Sequence, residues 1–111
     1  MLPDIRSVVI LSNMAAQPLF NRRIQLRTAV FVELVAWALP QPVSGCRHPY
    51  KYRLALVVDG ECVLRYDNEA GKGDHRHGDG QESPYPFTEI EQLVADFLTD
   101  VTRWQHDHDN L

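Results

Sequence analysis

The run YKYRLALVVDGECVLRYDN, residues 50–68, holds the strongest local signal in the chain. Two stretches rich in β-branched and aromatic residues flank Asp59-Gly60. An Asp-Gly pair favours a two-residue type I′ turn, whose positive φ values suit these residues and whose twist matches the flanking strands. Such a turn sets a register. It places Val57 opposite Cys62, Ala55 opposite Leu64 and Arg53 opposite Tyr66 on one face, with Leu56 opposite Val63, Leu54 opposite Arg65 and Tyr52 opposite Asp67 on the other. Cys62 then reads as a small buried hydrophobe. Polarity rises away from the turn, and the chain leaves the hairpin into YDNEAGKGDHRHGDG, residues 66–80.

Upstream, TAVFVELVAWAL, residues 28–39, carries apolar residues at both odd and even positions, as a central strand does. A helix over 30–39 is the competing reading. Pro40 and Pro42 end the run, since proline removes a ladder donor and fixes φ. LFNRRIQL, residues 19–26, precedes it with no strong turn residue between them, and Val8 to Leu11 can form one further short strand.

Downstream, Ser83-Pro84-Tyr85-Pro86-Phe87 is extended, as its prolines impose. A helix follows over Thr88 to Trp104. Thr88 and Glu91 have the spacing of a capping box, and Ile90, Leu93, Val94, Phe97, Leu98, Val101 and Trp104 form one apolar stripe. These elements predict an α+β fold: an antiparallel sheet of about four to five strands packed against one C-terminal helix at about 88–104. Residues 1–13 read as an N-terminal extension, 14–105 as a single domain and 106–111 as a frayed polar tail.

The chain has 111 residues, 44% of them hydrophobic, which suits one domain with a modest core. Its formal net charge of −4 gives no long-range attraction for nucleic acid, so contact with RNA has to be local. No apolar run approaches the roughly 20 residues of a membrane span. Cys46 and Cys62 make neither a disulfide framework nor a C-x-x-C motif, and a reducing cytoplasm is the simplest location.

Chemistry crowds into the 66–80 stretch. Asp67, Glu69, Lys72, Asp74, His75, Arg76 and His77 fall among four glycines, delivered directly from a well-specified strand. Lys72 and Arg76 can hold a phosphate, His75 or His77 can move protons near neutral pH, and Asp67, Glu69 and Asp74 can orient them. Such a set suits RNA cleavage through the 2′-hydroxyl, with a cation facing the phosphorane. A solvated charged loop has the same composition. His75-x-His77 with Asp67 or Asp74 is also compatible with a metal, which makes a metal-dependent hydrolase a third reading; no firm ligand set is present and no cofactor is implied. The G-K-G element lacks the full P-loop pattern. Arg22-Arg23, and Lys51 and Arg53 among Tyr50 and Tyr52, are candidate RNA contacts together with Lys72 and Arg76.

The strand end VAWALPQPV, the K-Y-R-L entry to the hairpin, the block YDNEAGKGDHRH, the segment ESPYPF and the helix EQLVADFLTDV resemble the TumE-like family of small bacterial toxins over about residues 14–104. The resemblance implies a toxin of a toxin–antitoxin pair, with a helix-turn-helix antitoxin encoded by a neighbouring gene as its partner. Its target would be RNA or the ribosome, reached through residues 66–77. The alternative reading, second to this one, is a non-enzymatic module that sequesters a partner, and a homodimer is open in either case.

Overall fold

The computed structural model describes residues 16–109. The expected strand at Val8 to Leu11 lies outside them. Six strands form one sheet: β1 (Gln17–Arg27), β2 (Val30–Ala38), β3 (Tyr50–Val58), β4 (Glu61–Glu69), β5 (Gly73–Gly78) and β6 (Gln81–Pro84). Each pairs antiparallel with its sequence neighbour, in the order β1-β2-β3-β4-β5-β6. One helix, α1 (Ile90–Asp107), follows. The α+β reading holds, and within 28–39 the segment Val30–Ala38 forms a strand rather than the competing helix. The sheet has more strands than the four to five expected, because the GDHRHG segment is itself paired.

Two Asp-Gly turns account for much of this. Asp59 and Gly60 have φ of 51° and 80°, and Asp79 and Gly80 have φ of 53° and 74°. Both are the type I′ geometry that twists flanking strands correctly. The β1–β2 turn instead uses Ala29 at φ 61°, its carbonyl accepting the Asp59 amide at 2.9 Å. An alanine there costs about 1 kcal/mol, which is why the sequence carries no visible turn signal.

The hairpin register departs from expectation beyond the turn. Val57 does lie opposite Cys62, but a bulge shifts the ladder, giving Leu56↔Leu64, Ala55↔Arg65, Leu54↔Tyr66 and Arg53↔Asp67. Side-chain period decides the matter. The unbulged register would set Leu54 against Arg65 and Tyr52 against Asp67, whereas one extra residue brings Leu64 and Tyr66 onto the face of Leu54 and Leu56. Cys62, at the hairpin tip, is exposed rather than buried.

That face is the core. Val30, Val32, Leu34 and Ala36 of β2, Tyr52, Leu54 and Leu56 of β3, and Leu64 and Tyr66 of β4 meet Leu93, Phe97 and Val101 of α1. Leu93 and Phe97 are wholly buried, each burial worth about 1.5–3 kcal/mol. The helix stripe was legible; its ends were not. Glu89 takes the N-cap position with extended dihedrals and no side-chain cap bond. Thr88 therefore stands one residue too early, and the Thr88–Glu91 capping box does not form. At the other end the helix runs to Asp107 instead of Trp104. His108 stacks on Trp104 at 4.3 Å and its carbonyl accepts from Arg27 of β1 at 3.1 Å, so the tail is tied down at least this far.

Candidate functional site

The β4–β5 pair carries the 66–80 stretch, and strand alternation divides its chemistry between two faces. Pairing sets Tyr66 beside Arg76 and Asn68 beside Asp74 on the helix side, and Arg65 beside His77 and Asp67 beside His75 on the open side. The expected cluster is thus split. Asp67, Glu69, His75 and His77 share the open face, Lys72 sits in the adjoining turn, and Asp74 and Arg76 point towards the helix.

On the helix side the polar groups are engaged with the fold. The Tyr66 hydroxyl donates to Asp100 Oδ2 at 2.5 Å, and Arg76 Nε donates to the same oxygen at 2.8 Å. Tyr85 donates to Asp96 at 2.6 Å. Arg76 lies across Gly78, where a Cβ would stand 2.7 Å from Nη1. Asp74 Oδ1 accepts from the Tyr52 hydroxyl at 2.6 Å and faces His48 Nε2 at 2.8 Å. Asn68 is wholly buried. Its Oδ1 accepts the Tyr52 amide at 3.1 Å and its Nδ2 donates to the Tyr50 carbonyl at 2.7 Å, as a peptide group in the ladder would.

Burial first, and then the hydrogen bond to Asp100, push the Tyr66 phenol up to about 12, with Arg76 opposing. Tyr52 and Tyr85 are raised as well, again by burial first and a carboxylate second. A phenol whose folded pKa exceeds its unfolded value stabilises fully below the unfolded value near 10 and loses that contribution as pH rises through the folded value. Stability is therefore expected to fall from about pH 10 upward, and Tyr66→Phe should flatten the fall between about 10 and 12. Urea midpoints measured across this range check it.

The open face holds a linked chain of charges. Arg65 Nη2 is 2.8 Å from His77 Nε2, and His77 Nε2 is 2.6 Å from Glu82 Oε2. Lys72 Nζ is 3.4 Å from Glu82. Arg65 Nε lies 3.1 Å from Asp67 Oδ2, an ion pair too misaligned for a hydrogen bond, which leaves that buried N–H without an acceptor. Glu82 is held below the usual carboxylate range: desolvation opposes this, but Lys72, then His77 and His75, outweigh it. His75 Nδ1 is 3.0 Å from the Gly73 carbonyl, which only an Nδ1–H can satisfy. Nε2 is then the basic nitrogen. His75 and His77, two residues apart on one face, stand about 6.6 Å apart along the strand.

Of the candidate RNA contacts, Arg23, Lys51 and Arg53 share the open face, and Arg23 and Arg53 flank Glu33 at 2.9 and 3.8 Å. Lys51 Nζ donates to the Asn68 carbonyl. Arg22 pairs with Leu34 and so lies on the other side, as does Arg76. Arg65 and Glu82 were missing from the sequence-derived set. The register without the bulge set Arg65 against Leu54, whereas the bulge puts it opposite Ala55, and Glu82 joins only through β5–β6 pairing; the Asp79-Gly80 dipeptide was its one available signal.

No helix among the described residues is long and apolar enough to cross a membrane. No curated protein and no solved structure matches the chain. The family model described as Toxin TumE matches residues 7–105, taking in the polar block, the hairpin and the helix, and extending into the segment that reads as an N-terminal extension. The chain therefore belongs to the toxin TumE family.

Proposed function

We propose that this toxin acts in the cytoplasm as a ribonuclease, on the open face of its sheet. The observation that carries the reading is the pair His75 and His77 side by side on a face that no helix among the described residues covers, with Arg65 and Lys72 beside it. His75 Nε2 removes the proton of a ribose 2′-hydroxyl, and the freed oxygen attacks the adjacent phosphorus. Protonated His77, its Nε2–H held by Glu82, donates its Nδ1 proton to the departing 5′ oxygen, leaving a 2′,3′-cyclic phosphate and a 5′-hydroxyl. Arg65 and Lys72 face the charge that develops on the phosphorane. Asp67 orients Arg65. Asp74 and Arg76, on the helix side, support the fold around the reacting groups. A helix-turn-helix antitoxin from a neighbouring gene relieves toxicity by covering this face.

Incubation of purified protein with an excess of total RNA tests the reading. Products should exceed protein mole for mole and carry cyclic phosphate ends. A protein that binds RNA or another partner tightly, arrests growth and yields no turnover would instead be a sequestering module.

A further inference from the structure

The loop before β3 carries a second constellation, on the side of the sheet away from the histidine pair. Cys46, His48 and Asp74 each offer a donor atom, and these atoms lie within 4.8 Å of one another. All three side chains are partly buried. We propose that they bind one borderline-soft divalent cation of the zinc class, with solvent in a fourth position.

Donor type and preorganisation argue for this. A thiolate, an imidazole and a carboxylate form a mixed set that zinc accepts and that magnesium and calcium do not favour. The three come from segments held in place without help from the ligands. The Gly45 loop, with Gly45 at φ 92°, packs backbone to backbone on the Gly71–Gly73 turn: a Cβ on Gly73 would stand 3.2 Å from the Gly45 carbonyl oxygen, and the Gly71 amide donates to the Ser44 carbonyl at 2.7 Å. Asp74 is fixed in β5. His48 stacks on Phe87 at 3.8 Å. Outer partners of the kind that orient metal ligands are also present: Asn68 Nδ2 donates to Cys46 Sγ at 3.6 Å and the Tyr52 hydroxyl to Asp74. Tetrahedral bonds of about 2.0–2.3 Å need donors roughly 3.5 Å apart, so the set has to close by about 1 Å at its widest.

Loading changes protonation in a defined way. The Cys46 thiol, raised mainly by burial, loses its proton to solvent. His48 Nδ1 accepts the Tyr50 amide at 3.2 Å, so the ring carries its proton on Nε2, facing Asp74. A cation at Nε2 displaces that proton and requires one at Nδ1. The ring then turns away from the Tyr50 amide.

Cobalt(II) titrated into the reduced full chain tests the site, since a thiolate ligand gives a charge-transfer absorption. The band should saturate at one equivalent, be displaced by zinc, and be lost in Cys46→Ser while surviving Cys62→Ser and the His75→Ala/His77→Ala pair. His48→Gln should keep the band and weaken affinity at least about tenfold. The Tyr50 amide resonance should move on zinc loading. No saturable band in the unaltered protein overturns the proposal; so does a band that survives Cys46→Ser, or one that depends on Cys62 or on the histidine pair. These readouts need no RNA, so their failure is separable from failure of the ribonuclease reading.

Discussion

Replacing Asn68 with Ala is expected to lower the unfolding free energy by about 3 kcal/mol, the largest effect on stability we predict for any polar position. Asn68 is buried completely, and its side-chain amide bonds both the Tyr52 N–H and the Tyr50 carbonyl. Truncation removes both partners at once and leaves two buried backbone groups unpaired, each costing about 1–3 kcal/mol. Water entering the space offsets part of that. With a urea slope of about 1.5 kcal/mol per M, the midpoint should fall by roughly 2 M. Asn68→Asp is expected to be no better: its carboxylate can accept from Tyr52 but meets the Tyr50 carbonyl and stands beside Asp74. A loss below about 1 kcal/mol for Asn68→Ala would mean that the amide does not close the end of the β3–β4 ladder.

The largest effect on activity is expected at the histidines. His75→Ala and His77→Ala should each reduce RNA turnover by about 10²–10⁴-fold, the range for losing a positioned acid or base, and each should abolish growth arrest on expression without the antitoxin. Because both side chains lie on the open face, the unfolding free energy from urea titration should stay within about 0.5 kcal/mol of the unaltered protein's. Glu82→Gln separates contact from positioning. Glu82 acts through His77, so its loss should lower turnover less than His77→Ala and should add almost nothing on top of it, as expected for groups that act as a unit. Undiminished toxicity in the double histidine variant would remove both imidazoles from the mechanism.

The polar block shows how legibility divides. Its importance could be read from density alone: seven charged or imidazole residues within the eleven positions 67–77, held between a hairpin strand and a helix. Which members work together could not. His75 and His77 share a face because strand period dictates it once the segment is a strand. Their neighbours are set by pairing, and pairing depends on the Leu56/Val57 bulge and the Asp79-Gly80 turn. The second Asp-Gly was as visible as the first, but charged and imidazole flanks hid it, since β signals are usually sought in apolar runs. Cys46 and His48 carried no local signal as a ligand pair. They join Asp74 across 26 or more positions because two glycine-containing loops pack backbone to backbone.

By itself, then, the order of residues determined the turn of the Asp59-Gly60 hairpin, the central strand, the apolar stripe of the helix and the stretch in which chemistry would concentrate. All of these are periodicity or turn preference, which act over a few residues. Only the tertiary structure decided the bulged register, the true cap at Glu89, the burial of Asn68 and the division of the polar block between two faces. Those depend on which buried groups find partners when strands distant in sequence meet, and no local pattern carries that information.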